Sequence, residues 1–487
     1  MSGRSKFDDI LENKIKLGYY HYMVYLFTSF IYVADGSEIV CMSLTLPIIQ
    51  KEWDISQENQ SLLGAILFFG IFVGSVCAGV VSDKYGRRKA ILYSTFIQFC
   101  VGILSTTATG VYLFLFFRGI FGILIGFTIP LAPSLLSEFT PVELRGKGIV
   151  ITNSFFSIGS LLGCLIGYFV LDSLTSGNWR LMLVFSSVPS LVVWYGTWKF
   201  TEESPRFEVV MGRTENGLCI LNKIGKMNDP QFVELDPSVI GELNEWRKDI
   251  YNEDEVATIG PLFKGINLII TTSLLIIWFG LNVVYYGAIF ISPFIFSHYD
   301  TQNQSQTQSG LANLTITVAG ELPSVVLALM IIDRKGFGRK NSMILSLFLS
   351  CACLLIASLM EVGGIVFFLS LTRCFIKTGF AIIYPFSSEV YPTAYRTVGM
   401  GVTSGFGRLG ATVMPYISFW LFDMAPKAPL VGYAIFTLVS GIAGFFLPYD
   451  TRGRYLDVKG EAKENYIELA DMENGQEDQQ IQKSLIA

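Results

Sequence analysis

The sequence predicts an all-α polytopic membrane protein whose twelve transmembrane helices form two pseudo-symmetric six-helix bundles. Three observations predict it. Of 487 residues, 51% are hydrophobic and only 15% charged, where a water-soluble protein carries about a quarter charged residues. The apolar residues gather into blocks such as 62–81, 148–171, 181–198, 266–290, 343–359 and 364–386, near the roughly 20 residues a helix needs to cross hydrocarbon. Two different charged loop motifs also recur, once in each half. The blocks must be helices, because unpaired backbone groups cost too much in lipid.

Twelve spans fall near 22–47, 60–82, 90–108, 111–136, 147–171, 180–199, 264–288, 311–332, 341–359, 364–386, 398–422 and 429–448. The layout is an N-terminus over 1–21, a six-helix bundle over 22–200, a polar linker over 201–263, a second bundle over 264–449 and an acidic tail over 450–487. Helical periodicity over 216–226 points to short surface helices in the linker rather than a further domain. The first apolar run is long enough to be a true span rather than a signal peptide.

Basic residues concentrate in the loops after even-numbered spans: Lys84, Arg87, Arg88 and Lys89, then Arg145 and Lys147, then Arg334, Lys335, Arg339 and Lys340, then Arg396. Loops on the other side hold little beyond Lys51, Arg180 and Lys427. The positive-inside rule makes the basic side cytosolic, with both termini and the Glu- and Gln-rich, disorder-prone tail. A sequon at Asn303 lies on the outer side. The eight cysteines lie mostly in apolar runs and read as small hydrophobes rather than a disulfide framework. Two histidines, His21 and His298, offer no metal-ligand spacing. No cofactor and no nucleic-acid partner is expected.

The internal repeat organises the chain. Gly79-x-x-x-Asp83-Lys84-x-Gly86-Arg87-Arg88-Lys89 links spans 2 and 3. Asp333-Arg334-Lys335-Gly336-Phe337-Gly338-Arg339-Lys340 links spans 8 and 9, with a two-residue insertion and Leu329 in place of the leading glycine. Glu138-x-x-Pro141-x-x-x-Arg145-x-x-Gly148 follows span 4. Its twin, Glu389-x-x-Pro392-x-x-x-Arg396-x-x-Gly399, follows span 10 at one constant offset.

The 79–89 run resembles the cytoplasmic signature of the major facilitator superfamily, and the duplicated layout resembles its fold over nearly the whole chain. Asp35-Gly36-Ser37-Glu38 with Pro47, Glu203-Ser204-Pro205-Arg206 and Tyr285-Tyr286-Gly287 resemble its organic-ion branch. That branch includes synaptic-vesicle-glycoprotein relatives and aromatic-acid/proton symporters. Sugar porters share several of these motifs, but their usual glutamine pair is missing ahead of Gly280-Leu281-Asn282. The resemblance implies that the loop charges latch the two halves together in one state and release them in another. Gly79 would allow close helix approach, Asp83 would meet a helix N-terminus, and Arg87 and Arg88 would reach carboxylates such as Glu138. Asp333, Arg339 and Glu389 form the mirror set.

Ionisable residues inside spans are costly and mark function. Asp35 and Glu38 share a face of span 1, where such a pair can bind and release a proton; Arg118 in span 4 is expected to partner Asp35. The second half holds Glu321, Arg373, Lys377 and Arg408, a surplus of cations that favours an anionic substrate, since a buried charge needs a partner. Trp278, Tyr285, Tyr286, Tyr384 and Phe386 would add apolar walls suited to a flat solute. Gly405-Phe406-Gly407-Arg408-Leu409-Gly410 matches a dinucleotide fingerprint, but it lacks the strand–helix context and reads as helix packing. So does the Gly159/Gly163/Gly167 stripe.

The expectation is a monomeric secondary transporter, not an enzyme, that moves a small organic solute (an organic anion favoured) with protons by alternating access. Lipid surrounds it in a plasma or vesicle membrane. Sugar or organic-cation porters are alternatives, as is a transporter-like vesicle protein or receptor with little transport.

Overall fold

The computed structural model describes residue 7 and residues 10–140, 142–252, 259–303, 309–332, 334, 337–391 and 396–451, with only the backbone described at 13, 57, 142–147, 248–252, 300–303, 309 and 397. Among the described residues, ten helices are long and apolar enough to cross a membrane. Two more complete the twelve spans. Arg87–Ser105 (span 3) begins with basic residues and packs on spans 4 and 6, while Arg396–Met424 (span 11) is rich in Gly, Ser and Thr and packs on spans 7 and 2.

The first bundle comprises Tyr19–Trp53 (span 1), Gln57–Tyr85 (2), span 3, Val111–Phe139 (4), Val142–Val170 (5) and Trp179–Phe200 (6). Ile266–Asn303 (7), a divided span 8, Gly338–Leu359 (9), Val362–Val390 (10), span 11 and Ala428–Phe445 (12) form the second. Spans 1 and 7 run several residues past their apolar blocks, because a helix does not end where its hydropathy falls. Span 8 departs from the single helix expected over 311–332. It is Ser309–Ala319 and Ser324–Ile331, separated by a turn that contains Glu321 and Pro323; proline has no N–H for the helical ladder.

Spans 2 and 4 pack closely because glycines interleave along them. A Cβ on Gly74 would collide with the Ile123 carbonyl, and one on Gly122 with the Leu67 carbonyl. The Gly159/Gly163/Gly167 stripe faces span 1 at Val33, Ser37 and Leu44. Gly407 and Gly410 lie against Trp278 and Phe279 of span 7, so the false fingerprint is a packing surface. Gly79 departs from its expected role: nothing lies within 4 Å of where its Cβ would be, because it sits on the exposed face of span 2, whose packed face there is carried by Ala78 and Ser82. Gly74→Val is therefore expected to cost about 1–3 kcal/mol, as overpacked cores do. Gly79→Val is expected to leave the unfolding midpoint near wild type, and thermal unfolding in detergent compares the two.

The linker carries helices Pro205–Val210, Thr214–Asn228 and Val239–Asn252. Ser204 caps the first, accepting from Phe207 N at 3.1 Å. The N-terminal segment tucks between these helices and the first bundle, with Ile10, Leu11 and Ile15 buried and the Phe7 and Trp246 rings 5.0 Å apart. Asn228 ties the linker to span 1: its Oδ1 accepts from Tyr20 N at 3.0 Å and its Nδ2 donates to Lys16 O at 3.0 Å.

Candidate functional site

The basic loops order themselves before any substrate is considered. Arg87 pairs with Glu138 (Nε–Oε1 2.8 Å) and with Asp83 (3.2 Å). Asp83 thus serves an arginine one turn on rather than another helix's N-terminus, and it is 70% exposed. Arg88 donates to the Trp198 carbonyl at 2.8 Å instead of to Glu138. In the mirror loop Arg339 pairs with Glu389. Arg334 is exposed, and Arg396 Nε donates to Tyr391 O at 3.5 Å. Asp333 and the Arg145 side chain lie outside the described residues.

A third duplicated element escaped the sequence pattern. Glu203 accepts from Arg88 N at 2.9 Å, at the N-terminus of span 3. Asp450 accepts from Arg339 N at 3.1 Å and Lys340 N at 3.0 Å, at the N-terminus of span 9. Both acids meet the positive end of a helix dipole. Gly86 (φ +100°) and Gly338 (φ +64°) supply the left-handed turns just before, a conformation open to glycine. The only sequence trace is an acid followed by a hydroxyl residue, Glu203-Ser204 and Asp450-Thr451.

Deep in the first bundle, Arg118 pairs with Glu38, not with Asp35. Ser186 also donates to Glu38, Arg118 donates to Ser105, and the Phe114 and Phe121 ring centroids lie 4.9 and 5.2 Å from the guanidinium carbon. Spans 1, 3, 4 and 6 thereby close on one buried ion pair. Asp35 and Glu38 share a face of span 1, and the packing of spans 3, 4 and 6 brings Glu38, one turn further along, to Arg118. Asp35 is fully buried, yet neither carboxylate oxygen has a hydrogen bond among the described residues. Gln98 of span 3 is its polar neighbour, and Arg408 and Glu38 are the charges that reach it.

Between the bundles lies a cavity whose lining comes from spans of both halves, with the apolar walls and few polar groups of a small-solute site. Tyr32, Phe156, Trp278, Tyr285, Tyr286, Phe380 and Tyr384 form its walls; Asn153, Asn282, Ser404, Lys377 and Arg408 add polar groups. Packing seals the end away from the basic loops. There Phe68 of span 2 meets Tyr286 and Phe290 of span 7 (ring centroids 4.6 and 5.3 Å), and Gly64 abuts Pro415 of span 11.

The charges of the second half divide. Glu321, in the turn of span 8, faces Arg373 Nε at 3.3 Å and accepts from Tyr285 (3.0 Å) and Ser157 (3.1 Å). This pair is completely enclosed and lies outside the cavity lining. Lys377, one turn along span 10, holds its ammonium 4.5 Å from the Phe156 ring centroid and 5.2 Å from that of Tyr285. Among the described residues, neither Lys377 nor Arg408 has a carboxylate in ion-pair contact.

The structure thus brings Lys377, Arg408, Tyr285, Tyr286 and Tyr384 to one cavity and places Arg373 and Glu321 behind it. Phe386 is enclosed and does not line it. The sequence reading missed Tyr32, Asn153, Phe156, Phe380 and Ser404; Asn153, a lone amide in an apolar span, was the one with a visible signal.

Comparisons with known proteins agree with this architecture. The family described as "Sugar (and other) transporter" matches residues 19–461. Organic cation/carnitine transporter 7 of Arabidopsis thaliana is 29% identical over 495 residues, covering 91% of this chain and 95% of that one. Synaptic vesicle 2-related protein of Rattus norvegicus is 29% identical over 458 residues, covering 91% and 80%. The partially occluded inward-open structure of the xylose transporter XylE from E. coli superposes with a TM-score of 0.72 at 18% identity, covering 90% of this chain and all of that one. The chain is a multi-pass membrane transporter, not an enzyme, and it belongs to the sugar (and other) transporter family of the major facilitator superfamily.

Proposed function

We propose that this transporter carries small, flat organic anions together with protons by alternating access around the aromatic cavity. One observation carries the reading: Lys377 and Arg408 face a cavity with aromatic walls, and among the described residues no carboxylate lies in ion-pair contact with either. Glu321 already offsets Arg373, and Asp35 faces Arg408, which leaves Lys377 unmatched. The two cavity cations together attract an anion, which Arg408 and Lys377 can share. Asp35 provides the coupling. Two partners can neutralise it, a proton or Arg408, and a substrate anion on Arg408 removes the second. The loaded carrier then holds one anion and one proton more than the empty one, so both cross with the same buried charge. The sealed aromatic end suits an inward-facing state, in which the Arg87–Glu138 and Arg339–Glu389 pairs are closed within their own halves. The basic loops face the cytosol, with both termini, in a plasma or vesicle membrane; protease protection of terminal tags tests that orientation.

The test is uptake into proteoliposomes of benzenesulfonate, an anion that cannot cross lipid as a neutral acid. Arg408→Ala is expected to lower uptake by about tenfold or more, since a hydrogen bond to a charged group contributes about 1.5–3 kcal/mol. A second reading rests on Asp35, a carboxylate with aromatic neighbours and no hydrogen bond among the described residues, and on the relative named for organic cations and carnitine. Uptake of tetraethylammonium with none of benzenesulfonate favours that reading and overturns the first.

A further inference from the structure

We infer that Ser157 is a positioning residue, through which the placement of the first half sets how strongly the second half's cations hold an anion. The inference rests on the organic-anion reading above and adds a coupling device to it.

The two buried acid–arginine pairs differ in one respect. Among the described residues every partner of Glu38 and Arg118 lies in the first bundle, so rocking of the bundles leaves that cluster intact. The Glu321 cluster is divided between the bundles. Glu321 and Tyr285 belong to the second, whereas Ser157, 1% exposed, reaches it from span 5 of the first. Its neighbour Phe156 supplies a ring beneath the Lys377 ammonium. Two consecutive residues of one bundle therefore act on the acid and on the cation of the other.

The direction of the effect follows from electrostatics. Glu321 Oε2 accepts two hydroxyl donors, and each donor satisfies part of the carboxylate's charge. When span 5 moves away, Glu321 loses the Ser157 donor and Lys377 loses the Phe156 ring. The carboxylate then competes more strongly for Arg373 and Lys377, and less positive potential is left for a substrate. Affinity therefore differs between the two arrangements and is higher in this one. By linkage, a bound anion favours the arrangement in which Ser157 stays bonded.

The device sits where a proton-independent and a structural role can be told apart. In the benzenesulfonate assay Ser157→Ala is expected to raise KM several-fold, up to about tenfold, with turnover within about twofold of wild type; Ser157→Thr restores KM. Glu321→Gln removes the competing charge, so its KM is expected to fall and its turnover to fall with it as release slows. A structural role would impair both variants in the same direction. KM rising in both, or unchanged KM in Ser157→Ala beside a tenfold loss in Arg408→Ala, overturns this inference alone. Absence of benzenesulfonate uptake by the wild-type protein overturns the organic-anion reading, and this inference with it.

Discussion

Arg118→Ala is expected to cost about 3–5 kcal/mol, the range for breaking a buried ion pair by removing one partner. That is a large share of the roughly 5–15 kcal/mol that holds a folded protein together. The cause is what remains. Glu38 is 1% exposed and would keep only the Ser186 hydroxyl, while Ser105 would lose its guanidinium donor. The cation also fills space between the Phe114 and Phe121 rings, so truncation opens a void as well. Thermal unfolding in detergent should show a sharp fall in midpoint, with reduced folded yield in membranes. Glu38→Leu combined with Arg118→Met should recover most of the loss, since well-packed apolar replacements of a buried pair are often neutral. A wild-type midpoint for Arg118→Ala would mean that the guanidinium is not what joins spans 1, 3, 4 and 6.

The contrast between this cluster and the cavity shows what the sequence could reveal. Charges are conspicuous in apolar spans, so Asp35, Glu38, Arg118, Glu321, Arg373, Lys377 and Arg408 were all visible one by one. Their pairing was not. Asp35 and Glu38 lie on the same helix face, and only the packing of spans 3, 4 and 6 decides which of them meets Arg118. The loop motifs were legible because their spacing repeats, and the Arg87–Glu138 and Arg339–Glu389 pairs follow from that spacing. Gly79 misled for a related reason. A motif records every state through which a carrier passes, whereas one conformation shows only the contacts of one state. Ser157 and Gln98 left no trace, because a serine or glutamine on a span gains meaning only from what a distant helix puts opposite it. The break in span 8 sat at a visible Pro323, but proline also occurs within intact helices here, at Pro47, Pro189 and Pro293. Hydropathy alone could not tell the two cases apart.

Asp35→Asn is expected to abolish proton-driven accumulation while leaving exchange of internal for external substrate. The amide is close in size to the carboxyl and stays neutral, so it imitates the protonated residue through the whole cycle. A carrier frozen in that form still binds the anion at Arg408 and Lys377 and still rocks with it. What it loses is the requirement that a proton accompany the anion, because Arg408 no longer has Asp35 as an alternative partner when the site is empty. In proteoliposomes with an inside pH one unit above the outside, the wild-type protein should drive benzenesulfonate toward about a tenfold accumulation, since a tenfold gradient and a tenfold concentration ratio are the same free energy. The variant should stop near equal concentrations, with counterflow preserved. Accumulation that persists in Asp35→Asn with its full dependence on the gradient would remove Asp35 from the proton pathway. Glu38 does not stand ready as a substitute, because its carboxylate is already taken by Arg118 and Ser186. Loss of both exchange and accumulation would assign Asp35 to substrate binding instead, as expected if a cation rather than a proton is what neutralises it.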